Sequence, residues 1–275
     1  MSKTIKPLTN DELRIKAPSL FQDQPYHEVS SKYHFIPTIE IIEQLRAENW
    51  YPVTVNEAGV RDLSKNGFQQ HYVRFQHFSD LINPNANVVE LLLFNSHDRS
   101  MSFSISAGVY RYICSNGLII ADSVFDSYKI KHLGDKENDV INAVANITAI
   151  KPKLLEKISK FESITLNQNE KESFLQSALP LRFDEHLELD NPNELLTPLR
   201  IEDKKDDLYT VLNILQENFL SSKVSGYNKE TNRRFTSKQI TSISKDVEIN
   251  KGLWDIAERI ASIKNDSYES PLIAA

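Results

Sequence analysis

Between Met101 and Val109 the chain alternates without a break: Met101, Phe103, Ile105, Ala107 and Val109 are separated by Ser102, Ser104, Ser106 and Gly108. A period of two is that of a β-strand with one face on a core, and it leaves the other face lined with small hydroxyls. Past Gly134 the period changes. Val140, Val144, Ile147, Ile150, Leu154, Ile158 and Phe161 recur at steps of three and four, which is a helix burying one stripe. Strand period first and helix period afterwards restrict the chain to an α+β fold in which the two kinds of element are segregated.

The strand-like region is wide. Trp50–Val55, His71–Phe78, Val88–Asn95, Met101–Tyr112 and Leu118–Ile130 all have strand composition. Val88–Phe94 is apolar except at Glu90, as a central strand covered on both faces would be. The connections Ser96–Ser100 and Ser115-Asn116-Gly117 are short, and Asn-Gly favours a tight hairpin turn. Residues 50–132 therefore read as a mostly antiparallel, meandering sheet. Ahead of it lies an N-terminal arm and a short unit in which Tyr33–Ile36 is strand-like and Ile39–Asn49 helical, with Thr38 as N-cap.

Pro152 is expected to kink or split the long helical stripe, and a second helix is expected over 170–178. Residues 184–207 carry nine acidic and three basic residues with Pro192 and Pro198, which reads as a surface loop or hinge. Two more amphipathic helices follow, one through Leu208, Val211, Leu212, Leu215 and Phe219, the other through Ile249, Leu253, Ile256, Ile260 and Ile263. The domain reading is an α+β core over 1–183, the acidic segment 184–207, a helical region over 208–264 and a tail over 265–275 without periodicity.

Composition narrows the function classes. The chain has 275 residues, 40% of them hydrophobic, and a formal charge of −6, which argues against a protein that coats nucleic acid along its whole surface but does not exclude a local basic patch. Its single cysteine, Cys114, forbids an intrachain disulfide and suits a reducing cytoplasm. The first residues show no signal peptide, and no apolar run approaches the roughly 20 residues that cross a bilayer. Seven glycines leave little room for phosphate-cradling loops, and P-loop, GxGxxG, GxSxG and paired-carboxylate motifs are all missing. No cofactor and no metal are predicted.

Polar side chains gather where the sheet should turn. His71, Arg74, His97, Arg111, Cys114 and His132 would form one cleft if adjacent strand ends brought them together. Cys114 ionised by His97 or His132 would be a nucleophile; the alternative is a small buried apolar residue. His71, His97 and His132 with Glu90 or Asp98 have the chemistry of a metal site but none of the usual spacings, and are otherwise ordinary core or surface histidines. Arg74 and Arg111 would offer a planar fork to phosphate; the alternative is an internal ion pair, for example with Glu90.

A second feature lies between the last two helices. Lys223, Lys229, Arg233, Arg234, Lys238 and Lys245 face one acid, Glu230, giving a local charge of +5, with Tyr227 and Phe235 interleaved. Cations mixed with aromatic rings suit single-stranded nucleic acid, whose backbone the charges track and whose bases the rings stack on. The alternative is a solvated loop that balances the acidic 184–207 segment.

Several strings resemble a known family. They are Ala17-Pro18-Ser19 with Tyr33–Thr38, Gly67 to His71 with Arg74, Phe94-Asn95-Ser96-His97-Asp98, and Gly108-Val109-Tyr110-Arg111-Tyr112-Ile113-Cys114-Ser115-Asn116-Gly117-Leu118. Lys131-His132, Leu208–Phe219 and Ile249-Asn250 to Leu253-Trp254 continue the match. They resemble the phage/plasmid-like protein family, a domain of unknown function (nine-three-two), and among its members the prophage-borne proteins of similar length. Arg-x-x-Cys-Ser-Asn-Gly, ending in Asn116 and Gly117, is the most specific string. The resemblance implies a setting in mobile DNA and no defined activity. It suits single-stranded DNA binding or annealing, a non-catalytic inhibitor that binds a host defence protein, or, third, an enzyme using Cys114 or the histidines. The expected partners are single-stranded DNA or a host protein, with no membrane; a homo-oligomer is compatible with all three.

Overall fold

The computed structural model describes residues 5–30, 33–83, 85–112, 116–119 and 136–269. It divides into two compact units, Met1–Pro152 and Lys153–Ala275. Both are α+β, with an antiparallel sheet in each and helices dominating the second half of the chain.

In the first unit, helix α1 (Asn10–Lys16) starts at a capping box. Thr9 accepts from the backbone N–H of Glu12 while the Glu12 carboxylate accepts from that of Thr9. A 3₁₀ turn over Pro18–Phe21 leads to helix α2 (Thr38–Ala47). The N-cap of α2 is Pro37 and makes no side-chain cap, so the expected cap from Thr38 is not formed. Nor are residues 33–36 a strand.

The sheet runs β1 (Trp50–Glu57), β2 (His71–His77), β3 (Asn87–Asn95), β4 (Ser104–Arg111) and β5 (Asn116–Ile119) in that spatial order, all antiparallel. A five-residue helix, α3 (Phe78–Ile82), interrupts the run between β2 and β3. Strand β3 is central, which is why its apolar run is buried on both faces. One face carries Val73, Phe75, Leu91, Leu93 and Ile105, packed with Leu13, Leu20, Ile42, Leu45, Val144 and Ile147.

Two local expectations are corrected. The alternation in β4 begins at Ser104, and Ser106 on its hydroxyl face is buried, so this strand too is covered on both sides. Asn116 and Gly117 are strand residues of β5 opposite Arg111 and Tyr110, not the tip of a turn. The rest of the expected strand Leu118–Ile130, with Cys114 and His132, lies outside the described residues.

Helix α4 (Lys136–Ser163) is continuous through Pro152, so the proline does not split it. The division between the units falls at this proline rather than at residue 183, because the second half of the helix is built into the later core. There Phe161 meets Trp254 with ring centroids 5.1 Å apart, and Lys157 pairs with Glu258.

The second unit continues with α5 (Gln168–Ala178), β6 (Leu187–Leu189), α6 (Leu208–Ser221), β7 (Ser225–Asn228), β8 (Arg233–Thr236) and α7 (Ile243–Glu269). The acidic segment is more than a loop. It contributes strand β6 to a three-stranded sheet ordered β6-β7-β8, and it buries Leu195 and Asp203. The basic stretch forms the β7–β8 hairpin. Helix α7 reaches past 265 to Glu269, and Ile263 at the end of its stripe is exposed. Among the described residues no helix is long and apolar enough to cross a membrane.

Candidate functional site

The described members of the expected cleft, His71, His97, Arg74 and Arg111, lie in three places. His71 and His97 do meet, with ring centroids 5.2 Å apart and both residues fully buried. They sit at the end of the sheet where His71 faces Asn95 across β2 and β3. Around them, Thr38 Oγ1 lies 2.9 Å from His71 Nε2 and 3.4 Å from His97 Nε2, and accepts from Asn95 Nδ2 at 3.0 Å. Ser19 Oγ lies 2.8 Å from His71 Nδ1. The Gln69 carbonyl, 3.2 Å from the same nitrogen, can only accept, which assigns the proton to Nδ1 and leaves Nε2 to accept from Thr38. Thr38 is thus engaged by the histidines instead of capping its helix.

Burial dominates the titration of both rings. It lowers the His71 pKa to about 3, assisted by the neighbouring His97, with the Gln69 backbone opposing. It lowers His97 to about 4, with the Ser19 backbone and the Asp98 charge opposing. Both imidazoles are therefore neutral at pH 7 and tie the N-terminal arm and α2 to the sheet. Among the described residues no group of three or more histidine, cysteine or acidic side chains is placed to hold a metal ion.

Arg74 and Glu90 occupy the opposite face of the sheet. Arg74 Nε pairs with Glu90 in a buried salt bridge, and Gln76 Nε2 donates to the other carboxylate oxygen at 2.8 Å. The Arg74 guanidinium then reaches across the sheet, and Nη1 donates to the Gly117 carbonyl at 3.0 Å. This explains the glycines of the sequence string. A Cβ on Gly117 would overlap the Arg74 guanidinium, and one on Gly108 would overlap Leu92. Of the two readings for Arg74, the internal pair with Glu90 is the one formed. Arg111 is buried too, opposite Asn87. Asn87 and Asn95 are eight residue steps apart along β3, so Arg111 stands roughly 25–30 Å from the histidines. Neither arginine is accessible to a phosphate. Asn95 and Ser96 serve the fold: Asn95 Nδ2 also bonds the Ile36 carbonyl, and Ser96 Oγ closes the next loop on Met101.

The basic hairpin is the exposed cluster. Arg234 holds Asp190 with two hydrogen bonds of 3.0 and 2.6 Å, and Lys229 lies 3.1 Å from Glu188, so the acidic strand β6 neutralises part of the patch. Lys223, Arg233 and Lys238 are exposed and have no ion-pair partner among the described residues. Lys245 pairs with Glu248 within α7. The two aromatic rings do not share a face. Tyr227 is opposite Arg234, whereas Phe235 is opposite Gly226 and packs where a side chain at Gly226 would stand. Only Tyr227 flanks the arginine. Its hydroxyl donates to Asn232, whose backbone at φ 58° turns the hairpin.

Sequence reasoning missed Arg182. Its guanidinium donates to the carbonyls of Asn218, Ser222 and Lys238 and to Ser237 Oγ, closing the end of α6 and fixing both roots of the hairpin. Its sequence neighbours carry no signal of that role.

The family model described as Domain of unknown function (DUF932) matches residues 25–254. Two proteins of Escherichia coli strain K12, UPF0380 protein YafZ and UPF0380 protein YfjQ, are each 30% identical over 255 residues, covering 93% of this chain and 92% of theirs. No solved structure matches.

Proposed function

Because the chain belongs to the DUF932 family, whose description names no activity, we propose a function from its surface: it binds single-stranded DNA through the β7–β8 hairpin, as an accessory in a DNA transaction such as annealing. The observation that carries this reading is the exposed cation cluster of Lys223, Arg233 and Lys238, with Arg234 and Lys229 held only in surface pairs. Exposed pairs contribute about 0–1 kcal/mol, so a phosphate can displace Asp190 or Glu188 at little cost. Tyr227 beside Arg234 supplies a ring on which a base can stack. The resemblance to phage- and plasmid-borne proteins supports the same reading. Arg74 and Arg111 take no part in it, being buried.

The test is binding to labelled single- and double-stranded oligonucleotides over a salt series. Five engaged cations predict a slope of log affinity against log salt near roughly −3.5 for single strands. Changing Arg233 and Arg234 to alanine should make that slope shallower by about 1–2, and Tyr227→Ala should weaken binding without altering it. Absence of binding at low salt would overturn the proposal and make a host protein, sought by pull-down, the leading partner.

A further inference from the structure

Strand β6 places two acids on the face of the hairpin that carries Tyr227. Direct partners across antiparallel strands share a face, so Glu188, Tyr227 and Arg234, opposite one another across β6, β7 and β8, point the same way. Asp190 and Lys229, each two residues further along its strand, join them. The ladder reaches that far, because the Asp190 N–H bonds the Ser225 carbonyl and the Lys229 N–H that of His186. The opposite face holds Leu189 and Gly226, both buried. Tyr227 therefore has Arg234 on one side and Glu188 on the other, with Lys229 along its own strand and Asp190 on the diagonal. Both acid–cation pairs are open to water. The side chains of Arg234 and Asp190 are 67% and 45% exposed, and those of Lys229 and Glu188 57% and 65%.

We propose that β6 is a built-in competitor at this site: Asp190 on the Arg234 fork and Glu188 on Lys229 occupy the places of two successive phosphodiesters, and a strand that binds exchanges for both. The proposal rests on the reading of the hairpin as a DNA surface and adds what that surface selects. Glu188 and Asp190 are two residues apart on one strand, so their backbones are roughly 6.5 Å apart, close to the step between successive phosphates of a nucleic-acid strand. Each carboxylate carries one negative charge, as a phosphodiester does, so the exchange at each cation is one charge for one. An isolated phosphate monoester brings close to two charges and replaces one carboxylate, leaving the other beside it in repulsion. A tethered competitor is always present at high effective concentration, which a single contact does not overcome and a run of linked phosphates does. The site therefore takes a chain of phosphodiesters and rejects a lone nucleotide.

Fluorescence anisotropy of a labelled oligothymidylate, titrated at one salt concentration with three full-length chains, tests the proposal. The chains are the wild type, Glu188→Gln with Asp190→Asn, and Glu194→Gln with Glu202→Gln. The last pair removes the same two charges from exposed positions of the acidic segment that hold no cation of the hairpin. The expected result is binding tightened roughly 3- to 30-fold in the first variant, as two exposed pairs cease to compete, and within twofold of wild type in the second. The salt slope of the first variant should equal that of the wild type, because the same phosphates are neutralised in both. Both substitutions leave the backbone bonds of β6 in place, and an unchanged melting temperature separates loss of competition from loss of the sheet. On the wild-type chain, dTMP should displace the oligonucleotide no better than sulfate at equal concentration. Equal affinity of the wild type and the first variant, an equal gain in the second, or displacement by dTMP beyond that by sulfate overturns the proposal and leaves DNA binding by the hairpin standing. No binding by any of the three chains overturns that reading and this one together.

Discussion

His71 and His97 are neutral rings in a place where charge is costly, and this makes the stability of the first unit depend on pH in a defined direction. In the unfolded chain both titrate near 6.5; in the folded chain burial holds them at about 3 and about 4. Between these limits the unfolded state binds more protons, so stability rises with pH, is complete above about 6.5 and is lost progressively as pH falls. Each ring contributes up to about 1.4 kcal/mol per pH unit in that window. Urea unfolding of the full chain between pH 5 and 7, above the ordinary carboxylate range, should show this dependence, and His97→Gln should flatten it by about one proton. An unchanged slope in that variant would mean that His97 takes up its proton in the folded state as it does in the unfolded chain. In the sequence the two histidines stand out as polar residues at strand ends, and that much was legible. Their closure by Ser19, 52 residues from His71, and by Thr38, 59 residues from His97, was not, because nothing in local spacing reports a contact between distant segments.

Among the elements, β5 shows how one side chain can decide what a motif means. Asn-Gly read locally is a turn, since both residues tolerate a left-handed backbone. Here Gly117 has no such backbone and pairs with Tyr110, and its missing side chain makes room for the Arg74 guanidinium arriving from β2. Gly117→Ala should therefore destabilise by about 1–3 kcal/mol through overpacking, seen as a lower urea midpoint. Arg74→Met should cost more, about 3–5 kcal/mol, because Glu90 is left buried without its charge partner. Exchanging Glu90 for glutamine in the Arg74→Met background should recover part of that loss. If Gly117→Ala unfolds at the wild-type midpoint, the guanidinium does not occupy that space. The alternation over 101–109 correctly gave a strand, yet its serine face is buried. Period measures which residues alternate and is blind to what covers the second face.

At the scale of the whole molecule, each compact unit has its own core and its own tryptophan. Trp50 is buried with Leu45 and Phe75 in the first, and Trp254 is buried against Phe161 in the second, its indole N–H donating to Glu258 at 2.9 Å. The chain contains two tryptophans in all, so removing either one leaves a fluorescence signal from a single unit. The switch from strand to helix period placed the fold class correctly, but not the boundary at Pro152, because a helical stripe continues through it while its buried partners change. Chains with more than one core need not unfold in a single step. Urea unfolding of Trp254→Phe should therefore report the first unit and that of Trp50→Phe the second. Adding Gly117→Ala to each background should lower the midpoint seen by Trp50 and leave that seen by Trp254 in place. If both signals shift together, the two cores unfold as one cooperative body and Pro152 marks no energetic boundary.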